Sequence, residues 1–451
     1  MIVAQEFVNG ARAVQLASGD DGFTSTGKTG VGWKAALKAA FLPEGWPDSV
    51  SADYLAFQLW DTVQGLSSYV RGMLSSQAIL VGVGVGKEAA TPLNAVFQFF
   101  VRDLAGMLGG ILFASSQGSG LDSYAKQWRI FADCLNNLGM AIELASPLLP
   151  GAFLLLACLG SVARAVTGVA GGATRTALTL HFARQRNAAD IAAKEGSQET
   201  AATMVGMILG MGVIRLTAGS AMAAWTVFVL MTWLHIFANI RALRCLHMTS
   251  LNRPRLDLLL THYWAKVPPQ DRGQIWSPAD LAGRETLLAP PLQRLAQRMG
   301  LQSHQQPPIT VAPTLSSLSR AGQQQLAEVL VLKEVQGIRQ RYLVLGSRGR
   351  SRGSRPSFDH LLVLLRPGAE TADILRAYCV ALLAGKGLLG HEASATGTCA
   401  TGWQAIWPTE IEERRLEALV AGLPAAGWAV DRLSLLQGDS RVAWGPDLHG
   451  D

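Results

Sequence analysis

Residues 216–240 run for 25 positions without a formal charge, closed on one side by Arg215 and on the other by Arg241 and Arg244. About 20 such residues suffice to cross a bilayer, and lipid leaves the backbone no partner but itself, so this stretch predicts a spanning helix. Trp225 and Trp233 lie within it. Further uncharged stretches precede it at 75–86, 89–101, 104–121, 145–163 and 201–214, shorter or broken by Gly and Pro. Each fits a tilted span, a re-entrant half-helix or the buried helix of a large core. Apolar residues make up 49% of the chain and charged ones 16%, with a mean hydropathy of +0.22, a balance that points toward membrane.

At 451 residues the chain has room for two domains. Its net charge of +6 is mostly arginine and spread out, with no basic run interleaved with aromatics. That favours anionic lipid headgroups as partner over specific nucleic-acid binding, and no nucleic acid is expected. The five cysteines, Cys134, Cys158, Cys245, Cys379 and Cys399, are far apart and never paired as C-x-x-C, so neither a disulfide framework nor a zinc site is expected. The N-terminal residues lack the basic start and apolar core of a secretory signal.

Along the chain, residues 1–32 are Gly-rich and expected to be irregular, and a short helix is predicted over 33–42 before Pro43. A helical membrane domain is expected over 33–255. A Pro- and Gln-rich connector follows over 256–325, with the boundary at the Gln- and Pro-rich 302–308. Residues 326–451 alternate strand and helix patterns: strands at 341–345, 360–365 and 428–436, helices at 372–383 and 409–423, together a small α+β domain. Between the first two strands Arg348, Arg350, Arg352 and Arg355 alternate with Gly and Ser, the pattern of an exposed loop. The fold class is therefore mainly α, a membrane-associated helical bundle with a smaller C-terminal α+β domain.

Four pairs of glycines at four-residue spacing sit in the apolar stretches: Gly82 and Gly86, Gly106 and Gly110, Gly168 and Gly172, Gly206 and Gly210. Such pairs let helix backbones approach where lipid removes the hydrophobic drive for association. Together they predict a tightly packed bundle.

Between apolar regions lies the polar stretch 187–198. At 100° per residue Asn187, Asp190, Lys194 and Gln198 share one stripe, while Ala188, Ala189, Ala192, Ala193 and Gly196 form the opposite face. Charges among spanning helices are functional candidates by default, so this stripe, with Glu195 and the nearby His181, is the expected ligand- or partner-binding site. A second stripe, Asp122, Lys126, Arg129, Asp133 and Asn136, fits equally a solvated amphipathic helix and a functional face, and contributes Arg129 and Asp133 to the candidate site. Arg102 and Asp103, at the join of two apolar stretches, read as a helix-end pair at the membrane interface. His235, beside Trp233, reads as a satisfied core histidine.

Gly22-Phe-Thr-Ser-Thr-Gly27-Lys28-Thr29 satisfies the phosphate-binding pattern G-x-x-x-x-G-K-[ST]. The strand before it is thin and no downstream strand ends in Asp, so nucleotide binding is the least favoured reading. No G-x-S-x-G, C-x-x-C or paired-carboxylate constellation is present, and His181 has no H-x-x-x-H partner. No catalytic residue, metal or cofactor is assigned, and an enzyme is not expected.

Several stretches together resemble the root UVB sensitive (RUS) family. They are Phe41-Leu-Pro-Glu-Gly-Trp-Pro47-Asp-Ser-Val50, Asp53-Tyr54, Gln58-Leu-Trp60-Asp61-Thr-Val-Gln64, Arg71-Gly72, Arg102-Asp103 with Gly106-Met107, and Lys126-Gln-Trp128-Arg129 with Ala132-Asp133. Residues 168–174 belong with them, as does the most specific stretch, Thr179-Leu-His181-Phe182-Ala183 running on through Asn187, Asp190 and Ala193-Lys194-Glu195-Gly196-Ser197-Gln198. The resemblance covers 33–252, with an echo at Gly427-Trp428 and 441–444. It implies a largely helical, membrane-associated protein acting in vitamin B6 homeostasis and UV-B-related growth, with several members in plastids and two working as a pair. The organelle stays open, plastid among the choices. The leading expectation is a bundle that binds or moves a small polar metabolite such as a B6 vitamer. Its rival is a scaffold in which the same stripe docks another RUS-family protein.

Overall fold

A 30-residue helix, α2 (Tyr54–Val83), is the axis of the N-terminal part of the chain. The computed structural model describes residues 2–8, 11–19, 22–27, 33–85, 91–117, 121–266, 275–289, 292–293, 296, 299, 307–318, 320–331, 340–348, 358–389, 403–433, 435 and 440–442. They divide into two compact units, Met1–Leu112 with Ala132–Cys245, and Phe113–Phe131 with Leu246–Asp451.

The first unit opens with an antiparallel meander, β1 (Ile2–Val8), β2 (Ala11–Gly19) and β3 (Gly22–Gly27), where an irregular segment was expected. Helices follow: α1 (Trp33–Phe41), α2, α3 (Pro92–Gln117), α4 (Ala125–Ala145), α5 (Phe153–Phe182), α6 (Ala188–Thr217) and α7 (Ala221–Cys245). The division between units falls within α3 and α4. Helix α2 packs along α6 and α7. Its apolar stripe of Leu74, Ala78, Ile79 and Val83 meets Met140 and Leu144 of α4, Phe228 of α7, and Phe153 and Ala157 of α5.

Glycine decides how near these helices come. A Cβ on Gly206 would lie 2.7 Å from Tyr69 Cβ, and one on Gly210 2.7 Å from Met73 Cγ, so α6 seats directly on α2. Gly82 admits the Phe153 ring, and Gly106 sits against Ser161 of α5. Gly168 and Gly172 meet nothing within 4 Å, so that pair joins no helices here; Gly86 lies outside the described residues.

Among the described residues, four helical segments are long and apolar enough to cross a membrane: Pro92–Gln117, Pro150–Phe182, Ala188–Thr217 and Ala221–Cys245. The chain is thus a mainly helical, membrane-associated bundle with a smaller α+β part. Two expectations are corrected. The uncharged run 216–240 is not one helix: α6 keeps its first two residues, and Gly219, at φ +82°, turns the chain before α7 begins. The stretches 89–101 and 104–121 are not two helices with a charged pair at an interface. Arg102 and Asp103 lie inside the single helix α3, bonded to each other at 2.7 Å, with the guanidinium over the Phe99 ring.

The second unit carries a four-stranded sheet in the order β5 (Ile309–Val311), β7 (Phe358–Leu365), β6 (Tyr342–Arg348), β8 (Trp403–Ile406). Leu361, Val363 and Leu365 of β7 enter one core and Leu362 and Leu364 the opposite one, which is why this strand reads as an unbroken apolar run. The first core is closed by α8 (Arg253–Lys266), α11 (Thr371–Gly385) and α12 (Glu410–Gly422); the second by α10 (Arg320–Leu330). A short helix, α9 (Pro278–Ala282), precedes the sheet, and β4 (Ser250–Leu251) pairs in parallel with β9 (Ala429–Leu433). Helix α8 is therefore part of this unit's core, and the boundary lies near residue 246, ahead of the expected 256–325 connector. The expected boundary residues 302–306 and the arginines 350, 352 and 355 lie outside the described residues.

Candidate functional site

One face of α2 carries Gln58, Gln64, Ser67, Arg71 and Ser75, all buried. Steps of three and four residues keep the last four on one helical stripe, so they point together into the bundle. Each meets a polar group of another helix. Gln58 Nε2 donates to Glu195 Oε1 of α6 at 3.0 Å, and Thr179 of α5 donates to the other oxygen of the same carboxylate at 3.2 Å. Arg175 stands 3.6 Å from Glu195 and pairs with Glu199 at 2.7 Å.

Six residues further along α2, Asp133 of α4 accepts from Gln64 Nε2 at 2.9 Å and from Asn239 Nδ2 of α7 at 2.5 Å. His235, also on α7, has Nε2 3.6 Å from Asp133 Oδ1 and Nδ1 3.2 Å from the Gln64 carbonyl, with the Ser67 and Ser68 hydroxyls at 3.4 Å. Arg71 then bridges to Asn137 of α4, and Ser75 donates to Glu143, which Arg164 of α5 holds at 3.2 Å. At the opposite end, ahead of α2, Asp53 accepts from Ser51 and sits 2.9 Å from His181 Nε2. The result is a continuous column of polar groups, drawn from five helices, inside a bundle whose outer faces are apolar.

The expected stripe on α6 has a different neighbour. Lys194 Nζ donates to the Ala39 carbonyl at 2.7 Å, and Gln198 Nε2 to the Phe41 carbonyl at 2.6 Å. Both carbonyls belong to the last turn of α1, where no intrahelical donor remains, so the stripe caps that helix from outside and Lys194 answers its dipole. Asp190 accepts from the Glu44 amide at 2.8 Å, and Asn187 Nδ2 donates to the Ser49 carbonyl at 3.2 Å. The four residues act together, as their spacing implied, and what they grip is the chain's own segment 39–49.

The structure brings Glu195, His181 and Asp133 into the column, while Arg129, half-buried on α4, belongs to the second unit. Of the second stripe, Lys126 is fully buried, Arg129, Asp133 and Asn136 are half-buried and Asp122 is exposed. Gln58, Gln64, Arg71, Ser75, Asn137, Glu143 and Asn239 were not singled out as site residues. For the four on α2 the signal was the spacing of polar residues through that helix, masked by the apolar residues between them.

The described part of the phosphate-binding pattern does not form a loop. Gly22 to Gly27 form β3, with Gly22 opposite Gly19 and Gly27 opposite Val14 of β2, so the loop whose amides would cradle phosphates is a strand in a ladder. Lys28 and Thr29 lie outside the described residues. Among the described residues no group of three or more His, Cys, Asp or Glu side chains is placed to hold a metal ion.

Residues 28–267, more than half of the chain and the part that holds the column, match the family described as the vitamin B6 photo-protection and homoeostasis domain. The chain is 42% identical over 401 residues to protein root UVB sensitive 3 of Arabidopsis thaliana, covering 89% of this chain and 84% of that one. It is 42% identical over 269 residues to RUS family member 1 of Dictyostelium discoideum, 59% of this chain and 50% of that one. To Arabidopsis root UVB sensitive 2, whose name carries the designation chloroplastic, it is 32% identical over 252 residues, 55% of this chain and 56% of that one. No solved structure matches it.

Proposed function

The chain belongs to the root UVB sensitive family, and from that premise we propose that its bundle binds and moves a small polar metabolite, a vitamin B6 vitamer, along the column beside α2. The observation that carries this reading is one connected polar group from three helices, the buried Gln64, His235 and Asn239 around the half-buried Asp133. An apolar core of the same volume would be at least as stable, whereas ionisable groups within a membrane bundle mark ligand or proton paths. The stripe Asn187, Asp190, Lys194 and Gln198 then belongs to the entrance, holding the 39–49 segment against α6.

Purified protein reconstituted in phosphatidylcholine vesicles should accumulate labelled pyridoxine above empty vesicles and lose that uptake on Asp133→Leu. Binding without uptake would reduce the function to a carrier or sensor. Absence of both, in protein that also leaves membranes on alkaline carbonate extraction, would end the reading. In that case a scaffold paired with another RUS-family protein takes its place. The small residues Ala189, Ala192 and Ala193, exposed on α6, offer the close-packing surface such a pair would use.

A further inference from the structure

Arg71 is 0% exposed, yet its hydrogen bonds all go to neutral oxygens: Nε to the Ser67 carbonyl at 3.1 Å, one terminal nitrogen to Ser68 Oγ at 3.0 Å and the other to Asn137 Oδ1. Three of the five guanidinium N–H groups are thereby used. Among the described residues it makes no ion pair, although the other buried charges along the column are answered: Glu195 and Glu143 by arginines, Asp53 by His181. Asp133, whose field reaches Arg71, already accepts from Gln64 and Asn239. A second observation stands beside it. Asn137, only 6% exposed, turns its oxygen to Arg71 and has no acceptor for its Nδ2. A buried cation and a buried amide donor, adjacent on α2 and α4, share one deficit, that of a negative oxygen. Leaving either unanswered is costly, more so for the buried charge than for the amide.

We propose that Arg71 and Asn137 bind the anionic group, phosphate or carboxylate, of the metabolite that the bundle carries; the inference rests on the metabolite-binding reading above and gives its ligand a charge. Guanidinium presents parallel donors that match two oxygens of either group, and Asn137 Nδ2 supplies a further donor from the facing helix. Because Arg71 is sealed, entry of the ligand is coupled to a parting of α2 from α4.

The test uses the full chain in phosphatidylcholine nanodiscs, titrated calorimetrically with pyridoxine, with pyridoxine 5′-phosphate and with inorganic phosphate. The first two differ by the phosphate alone. The expected result is at least tenfold tighter binding of the phosphorylated vitamer, competition by inorganic phosphate, loss of that preference in Arg71→Met and partial retention in Arg71→Lys. Asn137→Leu should weaken only the phosphorylated ligand. Equal affinity for both vitamers, or a preference that survives Arg71→Met, overturns the anion site and leaves the metabolite reading standing. Phosphate binding that Arg71→Met abolishes, with neither vitamer bound more tightly than phosphate itself, keeps the anion site and overturns the vitamer. No binding of any probe overturns both. If Arg71→Met fails to fold, the comparison of the two vitamers on the unaltered protein decides.

Discussion

Lys126 Nζ lies 3.0 Å from Glu285 Oε2, an ion pair in the second unit with both side chains shut away from solvent. Arg255 approaches the other oxygen of the same carboxylate at 3.1 Å, and Gln127 Nε2 donates to it at 3.1 Å. Burial by itself pushes the Glu285 carboxyl up, but Arg255 and Lys126 outweigh it and hold it down at about 2. The folded value lies below the unfolded one, so this charge contributes stability above about pH 5 that is lost as the pH falls toward 2. Glu285→Gln, which strands two buried cations, should destabilise the second unit by about 3–5 kcal/mol at neutral pH. It should also flatten the acid limb of the stability profile. Thermal unfolding followed between pH 3 and 7 would show both effects, and an unchanged acid limb would contradict the assignment.

Much of this architecture was legible because it follows from periodicity. The strands 342–348 and 358–365 and the helices 371–385 and 410–422 fall where alternation and apolar spacing put them. The stripe on α6 was legible as a unit because Asn187, Asp190, Lys194 and Gln198 recur at helical steps. Its partner was not, since the atoms it grips are backbone carbonyls and an amide, groups that every residue carries alike. The end of α6 was hidden for a related reason: residues 216–240 lack charge throughout, and only the left-handed Gly219 marks the turn. Gly168 and Gly172 share the spacing of Gly206 and Gly210, and only the tertiary neighbours tell them apart.

The grip of α6 on segment 39–49 predicts a local, separable effect. Lys194→Ala with Gln198→Ala removes two external caps from the end of α1, each worth about 0.5–1.5 kcal/mol. Residues 33–50 should then exchange amide hydrogens faster, while α2 and α7 keep their protection. Hydrogen exchange read by mass spectrometry makes the comparison. Equal protection in variant and parent would mean that the segment is held by other contacts.

The glycine pairs predict opposite outcomes for one kind of substitution. Gly206→Ala would place a Cβ 2.7 Å from Tyr69 Cβ and force α6 away from α2, destabilising the bundle by about 1–3 kcal/mol. At Gly172 the new methyl meets nothing within 4 Å, and the helix gains about 1 kcal/mol of propensity, so Gly172→Ala should be neutral or stabilising. Thermal unfolding in one detergent ranks the two. A reversed order would mean that α6 does not seat on α2 at Tyr69.

Asp133→Asn separates charge from shape at the centre of the column. The carboxylate accepts from two amide donors at once, Gln64 at 2.9 Å and Asn239 at 2.5 Å, with the His235 ring 3.6 Å away. Both amides donate to one oxygen, Oδ2, so an asparagine that places its carbonyl there fills the same space and keeps both bonds, while the charge is lost and an NH₂ group replaces the oxygen that faced His235. Each retained hydrogen bond weakens when its acceptor is no longer charged, a loss of about 1 kcal/mol apiece, little enough for a large bundle to remain folded. Function should suffer more than stability. In a host made deficient in its own family member, this variant should accumulate in membranes and fail to complement, while Asp190→Asn, on the outer stripe, complements in part. Asn239→Asp with Asp133→Asn returns one carboxylate to the cluster from α7 and should recover part of the lost activity. If the single variant complements fully, the charge at Asp133 serves packing alone, and the path beside α2 would have to run elsewhere.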